Sequence, residues 1–305
     1  MPFRAIALAL AASIVTATTA LSEGRQMLGN GRLVNNDLFG DLNDRWHSGS
    51  VAASRVKGPA WTGALPQRPF EILEYRVGAQ VMAPENLRAP AAGDRPFAGA
   101  VALGLHTHFE RGGNEIALGG DLVFTGPQTG LGAFQTALHD SMGVSPASNS
   151  VLANQVKDGV HPTLVAEAGR TFALGSRGTI RPFTELRWGV ETLARVGADI
   201  TFGPAGQGEL MVRDPVTGQR YRSVQQYVPG LSWVVGGDFT YVEDSAFLPQ
   251  SSGVQATDTR TRVRTGVHWQ GEQNAAFYGV TWMSEEFTAQ PSGQMVGSMR
   301  LEFRF

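Results

Sequence analysis

Apolar and polar residues alternate with a period of two along several stretches of this chain. Near the C-terminus Met299, Leu301, Phe303 and Phe305 are interleaved with Arg300, Glu302 and Arg304. Farther back, Val263, Thr265, Val267 and Trp269 stand against Arg262, Arg264, Gly266 and His268, and Thr184, Leu186, Trp188 and Val190 against Glu185 and Arg187. Successive side chains of an extended strand point to opposite faces, so this spacing predicts strands with one apolar and one polar face. Strand-like segments fall at residues 30–36, 48–57, 69–81, 97–109, 114–124, 163–174, 178–190, 193–203, 231–242, 260–269, 275–285 and 296–305, twelve in all. Residues 130–143 instead predict a short helix, with Phe134 and Leu138 spaced for one face. Beyond the N-terminus no run approaches the roughly 20 apolar residues that a membrane helix needs.

Period-two alternation suits a solvated sandwich as well as a membrane barrel. Three features favour the barrel. Arg and Glu recur on the polar faces, as a polar lumen requires, and Trp and Tyr fall near strand ends, where an interfacial girdle sits. The terminal Phe305 strand resembles the C-terminal signal of bacterial outer-membrane barrels. The first residues, MPFRAIALALAASIVTATTA, set one Arg before an apolar run from Ala5 to Val15 and close with small residues at Ala20, the layout of a cleaved secretory signal. The expected fold is therefore all-β: a transmembrane antiparallel β-barrel of about twelve strands, with a signal peptide at 1–20 and one barrel domain at 21–305. An even strand number fits a bacterial single-chain barrel, and the long interruptions at 125–162 and 204–230 are expected to be extracellular loops, because periplasmic turns are short.

Composition agrees with this picture. The 305 residues include 38 Gly and 16 Pro, too many for a protein of long helices, and only 17% are charged. Without residues 1–20 the chain keeps 24 basic and 27 acidic residues, a net charge of −3. That balance points away from a nucleic-acid partner. There is no Cys, so strand pairing around a closed sheet must supply what disulfides would. A barrel pairs all its edges, and no obligate protein partner is implied.

Against this low charge load, VNNDLFGDLNDRWHSGS at residues 34–50 is unusually rich in Asp and Asn. A long Asx-rich turn is one account of it. The stretch also resembles the N-terminal signature of the LpxR-type lipid A 3'-O-deacylases, an Asn-Asp pair followed by Thr-Asp-Arg-(Tyr)-Tyr-Thr-Asn-Gly. Two more blocks match in order. DRPFAG at 94–99 resembles the family's Asp-Arg-Pro-Tyr-Ala-Gly, and GPQTGLGAFQTALHDSMG at 126–143 resembles its Gly-Pro-(x)-Gln-(x)-His-(x)-Gly block, with Gln135 and His139 at the matching places.

The resemblance implies a twelve-stranded barrel of the Gram-negative outer membrane that uses calcium to remove the 3'-linked acyloxyacyl group of lipid A in lipopolysaccharide. It implies phospholipase-like ester hydrolysis, with a His as base for water and a metal ion at the carbonyl oxygen. Carried onto this sequence, the catalytic set is His139, Asp37, Asn36 and Ser48, with Asp37 and Asn36 as ligands for the divalent cation and Arg95 as a substrate-phosphate contact. The chemistry is consistent: His titrates near neutral pH, a hard cation takes oxygen ligands, Ser48 can orient water or act as nucleophile, and Arg pairs with phosphate. Each residue also has a plainer role open to it. Asp37 can brace Arg45 or Arg95 inside the lumen, Arg95 can fix the turn before Pro96, and His139 can be an ordinary loop histidine. His47, His106, His108, His161 and His268 have no comparable context.

The sequence departs from the family after the His block. Where the family shows Gly-Trp-(x)-(x)-Gln-Leu-(x)-Asn-Glu-Pro, residues 150–160 read SVLANQVKDGV; Gln155 and Asp158 align, but the Trp, Glu and Pro do not. If that Glu completes a metal site, only Asp140 or Asp158 in this loop can replace it. The alternative to a deacylase is therefore a non-catalytic barrel, a narrow pore or surface-interaction protein. A soluble β-sandwich leaves the terminal Phe strand without a purpose.

Overall fold

Twelve long antiparallel strands close on themselves in the computed structural model, which describes residues 24–303. The expected signal peptide at 1–20 and the terminal Phe305 lie outside the described residues. In chain order the strands are β1 (Gln26–Asn36), β2 (Trp46–Gly58), β3 (Leu73–Ala83), β4 (Ala98–Arg111), β5 (Asn114–Thr125), β6 (Gly159–Gly169), a short β7 (Phe172–Leu174), β8 (Gly178–Trp188), β9 (Glu191–Phe202), β10 (Leu210–Arg213), β11 (Arg220–Val224), β12 (Gly230–Ser245), β13 (Thr259–Gln270), β14 (Asn274–Met283) and β15 (Gln294–Phe303). The barrel consists of β1–β6, β8, β9 and β12–β15. It closes where β1 meets β15, over Val34↔Met299, Asn35↔Ser298 and Asn36↔Gly297. β10 and β11 form a separate two-stranded sheet.

The alternation seen in the sequence sorts side chains by face, inside out relative to a soluble protein. Val263, Trp269, Leu186, Trp188, Tyr278 and Leu301 are exposed on the outer wall, whereas Arg262, Arg264, Glu185 and Arg300 are buried within. Apolar-out is the arrangement that hydrocarbon around a barrel demands. Charge burial inside is compensated by pairing: Arg262 Nε donates to Asp238 at 2.9 Å, Arg264 Nε to Asp199 at 2.9 Å, and Arg195 Nη1 to Glu185 at 2.9 Å. Among the described residues no helix is long and apolar enough to cross a membrane.

Because consecutive strands run antiparallel, connections alternate between the two ends. The end where β1 finishes carries 37–45, 84–97, 126–158, 246–258 and 284–293; the opposite end carries both described termini, 59–72 and 203–229. This corrects one expectation. Residues 204–230 do not share an end with 125–162; their β10–β11 hairpin turns back into the lumen, where Arg213 donates to Glu167 and Asp199. A second correction is local: the segment 163–174 is two strands, since β6 ends at Gly169 and β7 pairs only with β8.

The loop 126–158 contains helix α1 (Leu131–Met142), between Gly130 and Gly143, and a short helix α2 (Asn149–Ala153) capped by Ser148. Val151 of α2 packs with Ala83, Leu87, Phe97 and Ala147. That cluster ties the loop down beside β3 and β4 and fixes where α1 lies.

Candidate active site

The turn after β1, the start of β2 and the buried face of α1 converge at the loop end. Asn36 ends β1 in extended conformation, and its Oδ1 accepts from the Leu38 amide at 2.8 Å, which starts a single 3₁₀ turn at Asp37–Phe39. Its Nδ2 donates to the Ser48 carbonyl at 2.8 Å and so fastens the turn to β2. Asp37 is buried and organises the rest. Its backbone carbonyl accepts from the amides of Gly40, Asp41 and Leu42, and its carboxylate accepts from the Leu38 amide at 2.9 Å and the Arg45 amide at 2.8 Å.

This turn lies on the outer wall of the barrel. Ser298 of β15 faces the lumen, so its neighbour Gly297 faces outward, and a Cβ there would collide with Phe39. The hydroxyl of Tyr278, an exposed residue of the outer wall, donates to the Phe39 carbonyl at 2.7 Å. Arg45 braces the far side, paired with Glu85 at 2.9 Å and Asp41 at 3.3 Å, and its guanidinium lies 4.3 Å from the Trp46 ring centroid.

From α1, Gln135 and His139 point inward one helical turn apart, and both are buried. His139 is held from both ring nitrogens: Nδ1 lies 3.1 Å from the Ser145 carbonyl oxygen and Nε2 lies 3.1 Å from Asp44 Oδ2. A carbonyl and a carboxylate can only accept, so each contact calls for an N–H on the ring, and Nε2 is the nitrogen that faces the Asp-rich turn. Asp44 is the residue that reading the sequence for site residues left out. Its place in NDRW marked it as part of the turn, but which acid of the turn reaches α1 is decided by tertiary packing.

Burial pushes the Asp37 carboxyl up to about 8; the Arg45 and Leu38 amides pull it down, and the charges of Asp44 and Asp41 add to the rise. A buried carboxyl crowded by two more acids has the chemistry of a cation ligand. The donors fit a hard divalent ion in kind, since the Asp37 carboxylate and the Asn36 amide oxygen accept N–H bonds yet keep lone pairs, and Ser48 Oγ and Gln135 Oε1 are buried without a hydrogen-bond partner. Among the described residues, no group of three or more His, Asp or Glu side chains forms a ready-made cage. An ion held here would complete its shell with carbonyls, water or substrate.

Asn36, Asp37 and Ser48 are thus joined in one turn, which His139 reaches through Asp44; Arg95 is not part of it. It is buried, with Nη1 donating to Glu286 at 2.7 Å and Nη2 directed at the Met82 sulfur. Glu286 is held well below the usual carboxylate range: burial alone would raise it, but Arg260, His47 and Arg95 outweigh that. Asp140 is exposed, and Asp158 accepts from the Gln128 amide at 2.7 Å. Neither takes the place against His139, which Asp44 holds.

The apolar residues of α1 face away from this pair. Phe134 is 63% exposed and Leu138 43%, and Met142 also lies open. The outward face of the helix beside the site is therefore greasy, as for a surface that meets lipid.

A closed twelve-stranded barrel with apolar walls, a charged interior and a His–Asp contact on its outer rim defines a class of outer-membrane barrel. The sequence profile of the family described as "Outer membrane protein LpxR" matches residues 5–305. The chain belongs to the LpxR family. Among solved structures it is similar to LpxR from Salmonella typhimurium, at 17% identity and a TM-score of 0.75, covering 91% of this chain and 100% of that one. The NanC porin (5% identity, TM-score 0.43, 92% and 100% covered) and the KdgM porin (6%, 0.39, 91% and 98%) are more distant. No curated protein sequence matches.

Proposed function

We propose that this chain is an outer-membrane lipid A deacylase, hydrolysing the 3'-acyloxyacyl ester with His139 as general base and calcium held by Asp37 and Asn36. Membership of the LpxR family supports the reaction class, and the observation that carries the reading to residues is His139 Nε2 aimed at the Asp37 turn. With Nδ1–H donated to Ser145, Nε2 is the nitrogen that takes a proton from water, once Asp44 Oδ2, 3.1 Å away, gives place to that water. The imidazolium N–H that results is the donor from which Asp44 accepts in the contact seen. Asp37 and Asn36 would hold the cation, which when bound supplies positive charge to the ester carbonyl. Ser48 orients water or substrate from the neighbouring strand. The exposed Phe134 and Leu138 lie where acyl chains of an outer-leaflet lipid would be met. The Arg95–Glu286 pair favours its structural alternative over a phosphate contact.

The test is mass spectrometry of lipid A from cells expressing the chain, with and without a calcium chelator. Loss of the 3'-acyloxyacyl mass only with free calcium is the expected result. Unchanged lipid A in both conditions, from a barrel that shows normal heat-modifiable mobility, overturns it.

The divergent residues 150–160 are the one feature that favours a non-catalytic barrel. Its pore form conflicts with the lumenal hairpin, which together with the paired Arg and acid side chains crosses the interior. Single-channel recording in planar bilayers is expected to show no steady conductance; an open, ohmic channel would restore the pore reading.

A further inference from the structure

The β10–β11 hairpin is not needed to close the barrel, yet wall and hairpin are fitted to each other. Tyr221 and Val212 pack against Leu33, Val56 and Phe277. Gly29 and Gly31 make a notch in β1, where a Cβ would collide with the hairpin backbone at Ser223 and Arg222. Arg262 of β13 donates to the carbonyls of Pro215 and Val216 at 3.0 and 2.8 Å. The hairpin is thereby held at a fixed depth.

At its tip stands Asp214, buried. Its Oδ2 accepts from the Thr217 amide at 2.7 Å, the Thr217 hydroxyl at 2.8 Å and Asn35 Nδ2 at 3.1 Å. Asn35 also donates from Nδ2 to Ser50 Oγ at 2.8 Å and accepts at Oδ1 from Ser298 Oγ at 2.7 Å. One buried amide thus joins β1 to β2, to β15 and to the hairpin, with both of its N–H groups used. Asn35 is the last lumen-facing residue of β1, and the next two residues are Asn36 and Asp37. The backbone there has little else to hold it toward β15, because the β1–β15 pairing covers only Val34, Asn35 and Asn36.

We propose that Asp214 is a positioning residue for the outer-wall turn: from inside the barrel, through Asn35, it fixes the end of β1 that presents Asn36 and Asp37. Since neighbouring residues of a strand face opposite sides, a rotation of Asn35 in the lumen is a rotation of Asn36 outside it. The proposal rests on the reading of that turn as part of the deacylase site.

Purified barrel in detergent, assayed on lipid A, distinguishes the pairing from general stability through a conservative variant. Asp214→Ala is expected to lower kcat about 10-fold or more with KM within about twofold, as displacement of a positioned group does. Asn35→Asp sets two carboxylates against each other and lowers kcat further. Asp214→Asn is the conservative control: with its amide oxygen in the place of Oδ2 it still accepts from Thr217 and from Asn35, and kcat stays within about threefold of the original. Hydrogen–deuterium exchange gives a readout independent of activity: the amides of Gly40, Asp41 and Leu42 exchange faster in Asp214→Ala and Asn35→Asp and keep the original rate in Asp214→Asn. Unchanged exchange and kcat in the first two variants overturns the proposal, and so does a folded Asp214→Asn that behaves as Asp214→Ala does. Should the unaltered protein leave lipid A intact, the deacylase reading fails, and the exchange rates alone still decide whether Asp214 positions the turn.

Discussion

Replacing His139 by alanine is expected to leave lipid A fully acylated in cells whose outer membrane carries normally folded barrel. A positioned base contributes roughly 10²- to 10⁴-fold to rate, so the residual activity should fall below what mass spectrometry of lipid A resolves. The substitution should spare the fold, because His139 belongs to a loop helix that the barrel strands do not need. Its loss removes a contact to Asp44 and one to the Ser145 carbonyl, and leaves the α2 anchor on Ala83, Leu87 and Phe97 untouched. His139→Gln separates base from brace: the amide can still donate to Ser145 but cannot carry a proton away from water. Equal loss in both variants assigns the proton transfer to His139. Glutamine activity within a few-fold of the original would make the residue a brace and return the base to an unassigned group.

Much of the barrel was legible because hydrocarbon outside and charge inside impose a strict period of two. Arg262, Arg264 and His268 face the lumen and Val263, Val267 and Trp269 the outside, as their alternation requires. The hairpin at 210–224 was not legible. Its strands are short and polar on a chain whose lumen is also polar, so nothing in the composition separates a lumenal plug from a solvated loop; only the parity of the strands puts it at the end opposite α1. The helix at 130–143 was visible, but the role of its apolar face was not. Phe134 and Leu138 are exposed beside the site, and the buried pair is Gln135 and His139, the inside-out logic of the barrel repeated on one helix. Of the motif residues, those within or next to regular strands and the helix came together, whereas Arg95 turned inward to Glu286, a partner 191 residues away that no local spacing announces. Asp44 entered the site by the same kind of long-range packing.

Asp37→Asn is the substitution in which function and stability are expected to part. Activity should be lost, because the variant removes the charge of the proposed cation site. Stability should change with pH in a way the original does not. The Asp37 carboxyl titrates at about 8 in the folded protein against 3.8 in the reference chain, so between those values the folded state holds a proton that the unfolded state has released. Stability is then fully present below about pH 4 and declines as pH rises through 8, by at most roughly 5–6 kcal/mol at 1.36 kcal/mol per unit. Asparagine does not ionise, so its contribution is flat with pH. It has its own cost. Both carboxyl oxygens, the protonated one included, keep a lone pair for a backbone amide, whereas an NH₂ group cannot accept, which leaves a buried N–H unpaired at about 1–3 kcal/mol. The two effects have opposite signs. The variant should therefore be less stable than the original near pH 4 and more stable near pH 9, with the heat-modification midpoints crossing between. A divalent cation should raise the midpoint of the original at pH 8 and leave that of Asp37→Asn in place, because only the former offers a carboxylate to neutralise. Parallel midpoints across the pH range would show that Asp37 is not ionised at a cost in the fold, and an active Asp37→Asn would remove it from the cation site.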